Sequence, residues 1–184
     1  MAIIKLYPGS KKVQQDQDEF ARLIGECIVT WAFVNRELFQ LYALHFRGNA
    51  NSAAAAYFGK RTLAQRLAAT EKLLNSELSP KLHDVRWGPL RKDTYELLAV
   101  RSVIAHQPPR RTGTGRGDRA VYLFAIHIEP AELRSLERVI KKLGKTWLGL
   151  PDLRAHLLDV ESLVQRLRNF RKVLSRRKSS LRSP

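Results

Sequence analysis

The hydrophobic pattern in the first part of the chain is that of a long amphipathic helix. Between residues 16 and 46, apolar side chains recur at steps of three and four, which places them on one helical face. That face carries Phe20, Ile24, Cys27, Ile28, Trp31, Val34, Leu38, Leu41 and Tyr42. Gly48-Asn49, a pair that favours helix ends, follows directly. The pattern therefore predicts one helix over about 16–46.

Shorter helical segments follow this first helix. Ser52 suits the N-cap of a short helix that ends at Phe58, and Thr62 suits the N-cap of the next helix. Residues 76–88 form a connector, within which 80–87 could make helical turns. The helix that follows Thr62 carries Leu63, Leu67, Thr70 and Leu74 at helical spacing.

A further helix is predicted over 89–106. Pro89 suits a first helical position, and Gln107 precedes a proline and so favours extended geometry, which ends the helix at about His106. Apolar residues recur along it at helical spacing. They are Leu90, Leu97, Leu98, Ile104 and Ala105.

The last third of the chain mixes helical and extended patterns. Residues 108–119 contain three glycines and two prolines, which predicts a loop. Residues 121–128 are rich in β-branched and aromatic side chains and predict a strand, whose partner is either segment 3–6 or a neighbouring chain. Apolar spacing then predicts helices over 130–143 and 152–176.

Composition indicates one globular domain. A chain of 184 residues with 44% hydrophobic residues is long enough for one buried core and short for two. We therefore expect a single helical domain over 1–184, and we leave open whether the basic tail from about 176 is disordered. The one cysteine, Cys27, lies on an apolar face and no Cys/His cluster has zinc spacing. No apolar run approaches a membrane span, so we expect a cytoplasmic protein.

The net charge of +16 indicates a polyanionic partner. Eight basic residues and no acid lie between residues 166 and 184, and four arginines lie between 110 and 119. Arginine suits bidentate phosphate contacts. The tail lacks the aromatic face of a lipid anchor, so the pattern favours nucleic acid over a membrane surface.

Arg101 and His106 are the strongest candidates for chemistry. Arg101 lies among the apolar positions of its helix, where a charge is costly unless something compensates it. His106 follows about 7.5 Å further along the axis and about 140° around it. An Arg and a His near a helix end can bind a phosphate and move a proton, as in ribonucleases. A structural ion pair for Arg101 and a helix-capping role for His106 are the alternatives.

Arg101-Ser-Val-Ile-Ala-His106 resembles the signature of the HEPN superfamily, whose commonest form is Arg-Asn-x-x-Ala-His. Segment 23–38, with its Trp and its Glu-Leu, is similar to the family's first long helix, so the resemblance covers about 20–106. It implies an all-α fold, a helical bundle of the HEPN type, to which this sequence adds a small β-strand or hairpin around 120–128. Such proteins are usually homodimers.

The resemblance also implies a function. Many members are metal-independent endoribonucleases of toxin–antitoxin or defence systems, which act without a cofactor. By position, Arg101 and His106 are the catalytic pair, and Ser102 takes the place of the polar residue that follows the Arg. The implied partners are RNA, a second copy of the chain and an antitoxin protein. Other members only bind nucleotides, RNA or protein, and Ser102 in place of Asn favours that alternative.

Four further residues are candidates for the same site. Arg110 and Arg111, four and five residues beyond His106, could reach flanking phosphates. Glu37 could face Arg101 or His106 and orient it, although an exposed i,i+4 partner is the plainer interpretation.

The fourth candidate is Tyr95, which lies eleven residues before His106 on the same helical face. It could hydrogen-bond substrate or pack in the core. Trp31 fits the core, whereas Trp87 and Trp147 lie in or near connectors and could stack a base.

The spacing of Arg101 and His106 makes the mechanism depend on a dimer. Residues five apart do not share a helical face, so one copy cannot readily place both side chains on one phosphate. Two such helices related by a two-fold axis could bring two Arg and two His around one cleft. His106 would then remove the proton of a ribose 2′-hydroxyl, and Arg101 would stabilise the charge on the phosphate oxygens.

Overall fold

Long helices form most of the described part of the chain. The computed structural model describes residues 11–106, 109–112, 120–124 and 147–180. The helices are α1 (Lys11–His45), α2 (Ala50–Phe58), α3 (Leu63–Glu77), α4 (Pro80–Leu82), α5 (Gly88–His106) and α6 (Leu150–Ser180). This predominance of helix confirms the all-α prediction. Segment 3–6, residues 125–128 and the predicted helix over 130–143 lie outside the described residues.

Local capping signals set the early helix boundaries. Thr62 caps α3 through a capping box, because its side chain accepts from the Gln65 backbone N–H while the Gln65 side chain accepts from the Thr62 backbone N–H. The prediction that Ser52 caps α2 is wrong, since Asn49 is the N-cap and its Oδ1 accepts from the Ser52 backbone N–H at 2.9 Å. Gly48 before it has a φ of 156°, which favours glycine.

The connector before α5 is helical and contributes one residue, Trp87, to the core. After α4, residues His83–Trp87 form a π-helical turn that runs directly into α5. Trp87 is fully buried and stacks on Phe170 of α6, with ring centroids 6.0 Å apart. Trp87 is therefore a core residue, and the suggestion that it stacks a base is wrong. The side chain of Trp147 lies outside the described residues.

Two hydrophobic clusters hold the helices together. The larger one joins α1, α2, α3, α5 and α6 around residues such as Leu38, Tyr57 and Leu163. The smaller one lies where the N-terminal half of α1 meets the C-terminal half of α5, and it includes Val103 and Ile104. Arg101 therefore stands on the helix that connects the two clusters, and packing fixes α5 on both sides of it.

A small antiparallel sheet packs beside the end of α5. It is formed by β1 (Pro109–Thr112), β2 (Ala120–Phe124) and β3 (Trp147–Leu148), in the order β1-β2-β3. Arg110 pairs with Tyr122, and Leu123 pairs with Leu148. The loop predicted for 108–119 is thus wrong for β1, whose Pro-Arg-Arg-Thr sequence carries no strand signal of its own. Within the described residues β2 pairs with β1 and β3, and the predicted partner segment 3–6 lies outside those residues.

The C-terminal helix is longer than its sequence pattern predicts. It runs from Leu150 to Ser180, whereas apolar spacing predicted 152–176. Arg166 Nη1 lies 2.7 Å from Asp93 Oδ2, and the Lys178 ammonium donates to the carbonyl of Leu44. These contacts attach the basic end of α6 to α5 and α1. Among the described helices, none is long and apolar enough to cross a membrane.

Candidate anion-binding site

Arg101 lies at the edge of the buried face of α5. Val100 and Ile104 are buried, but Ala105, which the sequence placed on the apolar stripe, is exposed. The guanidinium is consequently half-buried instead of projecting from the middle of the stripe. Its Nε is buried and has no hydrogen-bond partner, and no carboxylate of the described residues lies within ion-pair distance. The structural ion pair considered for Arg101 is therefore not formed within these ranges.

Arg101 faces a pocket of about 550 Å³ between α1, α5 and the start of α3. Polar side chains on its wall come from Asn35, Arg61, Thr62, Arg66, Arg101 and Ser102. Apolar side chains come from Ile28, Trp31, Ala32, Leu63, Ala64 and Leu98. Three of the lining residues are arginines and none is acidic. A cleft lined by one sign of charge attracts ions of the opposite sign, so the wall favours anions.

Arg66 is held in place by contacts from three directions. Its Nε donates to the carbonyl of Lys60 at 3.2 Å, and its Nη1 donates to Asn35 Oδ1 at 3.4 Å. The guanidinium also lies over the rings of Tyr57 and Phe58, 5.7 and 5.3 Å from their centroids. Cation–π contacts of this kind orient a guanidinium without neutralising it. Arg66 therefore keeps its positive charge for a ligand.

Asn35 links this arginine to the core. Its Oδ1 also accepts from the Tyr57 hydroxyl at 3.1 Å, and the Asn35 carbonyl accepts from the same hydroxyl at 3.2 Å. Burial raises the pKa of Tyr57, while Arg66 opposes that shift. The hydroxyl therefore stays protonated and keeps donating. This bond fixes the amide that in turn positions Arg66.

Arg61 completes the cationic wall from the residue before the α3 N-cap. Its backbone N–H donates to Gln65 Oε1 at 3.0 Å, which ties the main chain to the first turn of α3. The residue itself is exposed. The side chain is therefore anchored at its base and has a solvated end, an arrangement that leaves it adaptable to a ligand.

The floor of the pocket is rigid because His156 holds the Trp31 side chain in place. Its indole N–H donates to Nε2 of His156 at 3.2 Å, and the two rings stack with centroids 6.3 Å apart. Burial lowers the pKa of His156 to about 4, so the imidazole is neutral at pH 7 and its Nε2 accepts. Trp31 is buried, as its place on the apolar face predicted, and His156 is buried as well.

Glu37 does not belong to this site. It is 1% exposed, and it binds two arginines of α6 instead of Arg101. Arg171 Nε donates to its Oε2 at 3.0 Å, and Arg168 Nε donates to its Oε1 at 3.3 Å. Both interpretations of Glu37 are thereby corrected, because the carboxylate neither faces Arg101 nor forms an exposed i,i+4 pair. Its function is to join α1 to α6.

Tyr95 also lies outside the pocket lining. It is 37% exposed, so it is not a core residue. Burial raises the pKa of Tyr95, with Glu71 acting in the same direction and Arg91 against it. Glu71 and Arg91 form an ion pair between α3 and α5, and neither residue lines the pocket. The structure therefore gives it no contact with Arg101.

The remaining predicted residues are Ser102, His106, Arg110 and Arg111, which come after Arg101 in the sequence. Ser102 lines the pocket together with Arg101. His106 is the last residue of α5, and Arg110 and Arg111 belong to β1. The side chains of these last three lie outside the described residues. Of the predicted set, the structure brings Arg101 and Ser102 together and separates them from Glu37 and Tyr95.

Sequence reasoning missed Asn35, Arg61 and Arg66. One signal for Arg66 is present, since it lies three residues after Leu63 and four before the buried Thr70. That spacing beside an apolar stripe is the feature that singled out Arg101. Asn35 and Arg61 carry no comparable signal, because their place in the wall depends on how α3 packs against α1.

No protein-family model, curated protein or solved structure matches the chain significantly. Among the described residues, no group of three or more His, Cys, Asp and Glu is placed to hold a metal ion. What the site can do chemically follows from its own side chains, which are three cations, three neutral polar groups and an apolar floor.

Proposed function

We propose that the protein is an endoribonuclease of the HEPN type that acts without a metal ion. The observation that carries the proposal is the state of Arg101 on α5. Its guanidinium has no acidic partner in the described residues and shares a pocket with two further arginines, on the helix that ends at His106. A cation held in this way is suited to a phosphate group.

The proposed reaction is an internal transesterification. His106 accepts the proton of a ribose 2′-hydroxyl while its oxygen forms a bond to the adjacent phosphorus. Arg101 stabilises the negative charge that develops on the non-bridging oxygens. The bond from phosphorus to the 5′-oxygen breaks, and a protonated imidazole supplies the proton that this oxygen requires. The products are a 2′,3′-cyclic phosphate and a 5′-hydroxyl.

A homodimer supplies the second imidazole in this proposal. The helix carries the Cα of His106 about 7.5 Å along the axis and about 140° around it from Arg101. With a two-fold axis beside α5, the partner's His106 acts as the acid while the first copy acts as the base. A role in defence or in a toxin–antitoxin pair would then require an antitoxin protein that blocks this cleft.

The test is cleavage of mixed RNA by the purified full chain in the presence of a chelator. We expect fragments with cyclic phosphate ends, no cleavage of the matching DNA and loss of cleavage in His106→Ala. Arg101→Ala should lower the rate by about 10²-fold or more, as removal of a transition-state donor does. Arg47→Ala is the control, because that side chain is 94% exposed and lies outside the pocket. Intact RNA across a range of pH, with folded dimer present, would overturn the proposal.

A second candidate is an RNA- or nucleotide-binding module without catalysis. The observation that favours it is that three guanidiniums and no acid line the pocket, which suffices to bind a phosphate whatever His106 does. Ser102 in place of the family's Asn agrees with it. This candidate predicts salt-dependent RNA binding that survives His106→Ala, with no turnover in either form.

A further inference from the structure

We propose that Arg61 and Arg66 form a second phosphate subsite beside Arg101, and that the pocket as a whole holds one nucleotide. The assignment of the ligand to a nucleotide rests on the proposed function. Neither arginine belongs to the Arg101–His106 motif, and both come from α3 or the residue before its N-cap. The subsite would recognise a nucleotide next to the bond that is cleaved.

The first argument is the charge of the wall. Arg61, Arg66 and Arg101 line one pocket, and none forms an ion pair with a carboxylate of the described residues. Other arginines among the described residues form ion pairs with carboxylates, as Arg91 does with Glu71 and Arg166 with Asp93. Gathering three cations without an acid is unfavourable for folding alone, so the arrangement indicates an anionic ligand.

The second argument is that Arg66 is preorganised. Asn35 and the Lys60 carbonyl accept from its Nη1 and Nε, and the rings of Tyr57 and Phe58 lie within 5.7 Å of its Cζ. These contacts leave Nη2 and the second hydrogen of Nη1 for a ligand. A guanidinium whose rotamer is already fixed loses little entropy on binding, which increases affinity.

The third argument is the apolar part of the lining. Ile28, Leu63 and Leu98 come from three different helices and line the pocket together with Trp31. An inorganic anion gains nothing from such a surface, whereas the flat face of a nucleobase buries apolar area against it. The volume of about 550 Å³ falls in the range of sites for single small ligands. A nucleotide therefore fits both halves of the lining.

The phosphate could belong to a free nucleotide or to an RNA chain, and the experiment has an arm for each. The first arm measures binding of adenosine and uridine 5′-monophosphates, the two nucleosides and inorganic phosphate by calorimetry. The second arm uses a short 2′-O-methyl oligonucleotide, which cannot be cleaved through a 2′-hydroxyl. We expect at least one of the monophosphates or the oligonucleotide to bind more tightly than the nucleosides and inorganic phosphate.

The variants are chosen to preserve the fold. Arg61→Ala removes an exposed side chain, and Arg66→Lys retains the charge but loses the planar fork. Each should weaken binding of the nucleotide or the oligonucleotide by roughly tenfold or more, since Arg61→Ala removes a charge-assisted contact and Arg66→Lys removes the paired N–H donors of the guanidinium. Arg47→Ala removes an equal charge outside the pocket and should leave binding within about twofold. Thermal unfolding checks that each variant is folded.

The outcomes separate this subsite from the proposed function. Binding that depends on Arg61 and Arg66, without RNA cleavage by the wild type, supports the subsite and overturns the proposed nuclease function. Cleavage with an unchanged KM in both variants supports the nuclease and overturns the subsite. An equal loss of affinity in Arg47→Ala, or equally tight binding of an acidic peptide, would also overturn the subsite. Binding would then depend on charge alone and not on the pocket's recognition of a nucleotide.

Discussion

The indole N–H of Trp31 on α1 donates to the imidazole Nε2 of His156 on α6, at a distance of 3.2 Å. This bond requires an unprotonated Nε2, and burial favours the same neutral form by lowering the pKa of His156 to about 4. Trp31, which lines the pocket that Arg101 faces, is thus coupled to the protonation state of the buried His156 on another helix.

This coupling predicts a loss of stability in mild acid. The unfolded chain binds a proton at His156 near pH 6.5, whereas the folded chain does so only near pH 4. The contribution of the neutral His156 to the free energy of unfolding is therefore complete above about pH 6.5. It is lost as the pH falls to 4, by about 3 kcal/mol in total. Burial also lowers the pKa of His45, so that residue acts in the same direction.

Denaturant unfolding of the wild type and of His156→Phe from pH 7.5 to pH 4 isolates this contribution. The variant should be less stable at neutral pH, because the Trp31 N–H loses its acceptor. Its stability should fall less steeply in acid, so that the two curves converge. Parallel curves would show that His156 does not control the transition.

Replacement of Arg101 distinguishes a ligand-binding arginine from a structural one. Arg101→Met keeps the packing of the alkyl stem but removes a cation that has no acidic partner in the described residues. We expect the free energy of unfolding to change by less than about 0.5 kcal/mol and RNA affinity to fall at least tenfold. Arg47→Met is the control for charge. A large loss of stability with unchanged RNA affinity would identify Arg101 as a structural residue.

Glu37 should behave in the opposite way. Glu37→Gln leaves Arg168 and Arg171 without their shared carboxylate, and we expect a loss at the lower end of the roughly 3–5 kcal/mol range for buried pairs. Both arginines are partly exposed and can turn to solvent, which limits the cost. Nucleotide binding to the folded variant should not change.

Glu26→Gln is the matched control for this substitution. It breaks the exposed i,i+4 pair with Arg22 and should cost less than about 0.5 kcal/mol. Unfolding by denaturant measures both variants. A similar small effect at positions 37 and 26 would mean that the Glu37 cluster does not join α1 to α6.

Two glycines of the N-terminal region should respond with opposite signs. At Gly48 a Cβ would lie 2.8 Å from Ser52 Oγ and 2.9 Å from the Phe46 ring, at a φ of 156°. We expect Gly48→Ala to destabilise the fold by about 1–3 kcal/mol. At Gly25, inside α1, a Cβ meets nothing within 4 Å, so Gly25→Ala should stabilise it by roughly 0.5–1 kcal/mol. Thermal unfolding of both variants checks the signs, and destabilisation by Gly25→Ala would contradict the geometry.

Structural features that are determined by residues close together in the sequence could be predicted. The apolar spacing over 16–46 gives most of α1, Thr62 gives the start of α3, and the proline after Gln107 gives the end of α5. These signals lie within a few residues of the structure they determine. The same kind of reasoning identified Arg101 as an unusual cation on an apolar helix.

Features that depend on distant residues could not be predicted in this way. Glu37 is separated from Arg168 and Arg171 by 131 and 134 residues, and no local pattern connects them. Arg61 enters the pocket only because α3 packs beside α1 and α5. Trp87 belongs to a segment without clear periodicity, yet the π-helical turn carries it into the core.

The pairing along α6 has a consequence for the response of the protein to salt. Arg166, Arg168 and Arg171 already pair with acids of α5 and α1, so they have little charge left to neutralise the phosphates of a polyanion. In the proposed complex with RNA, these positions therefore displace few of the cations condensed on the RNA, and exposed residues such as Lys172, Arg176 and Arg177 displace most of them. The logarithm of the binding constant should therefore fall with salt less steeply than the eight basic residues between 166 and 184 would imply.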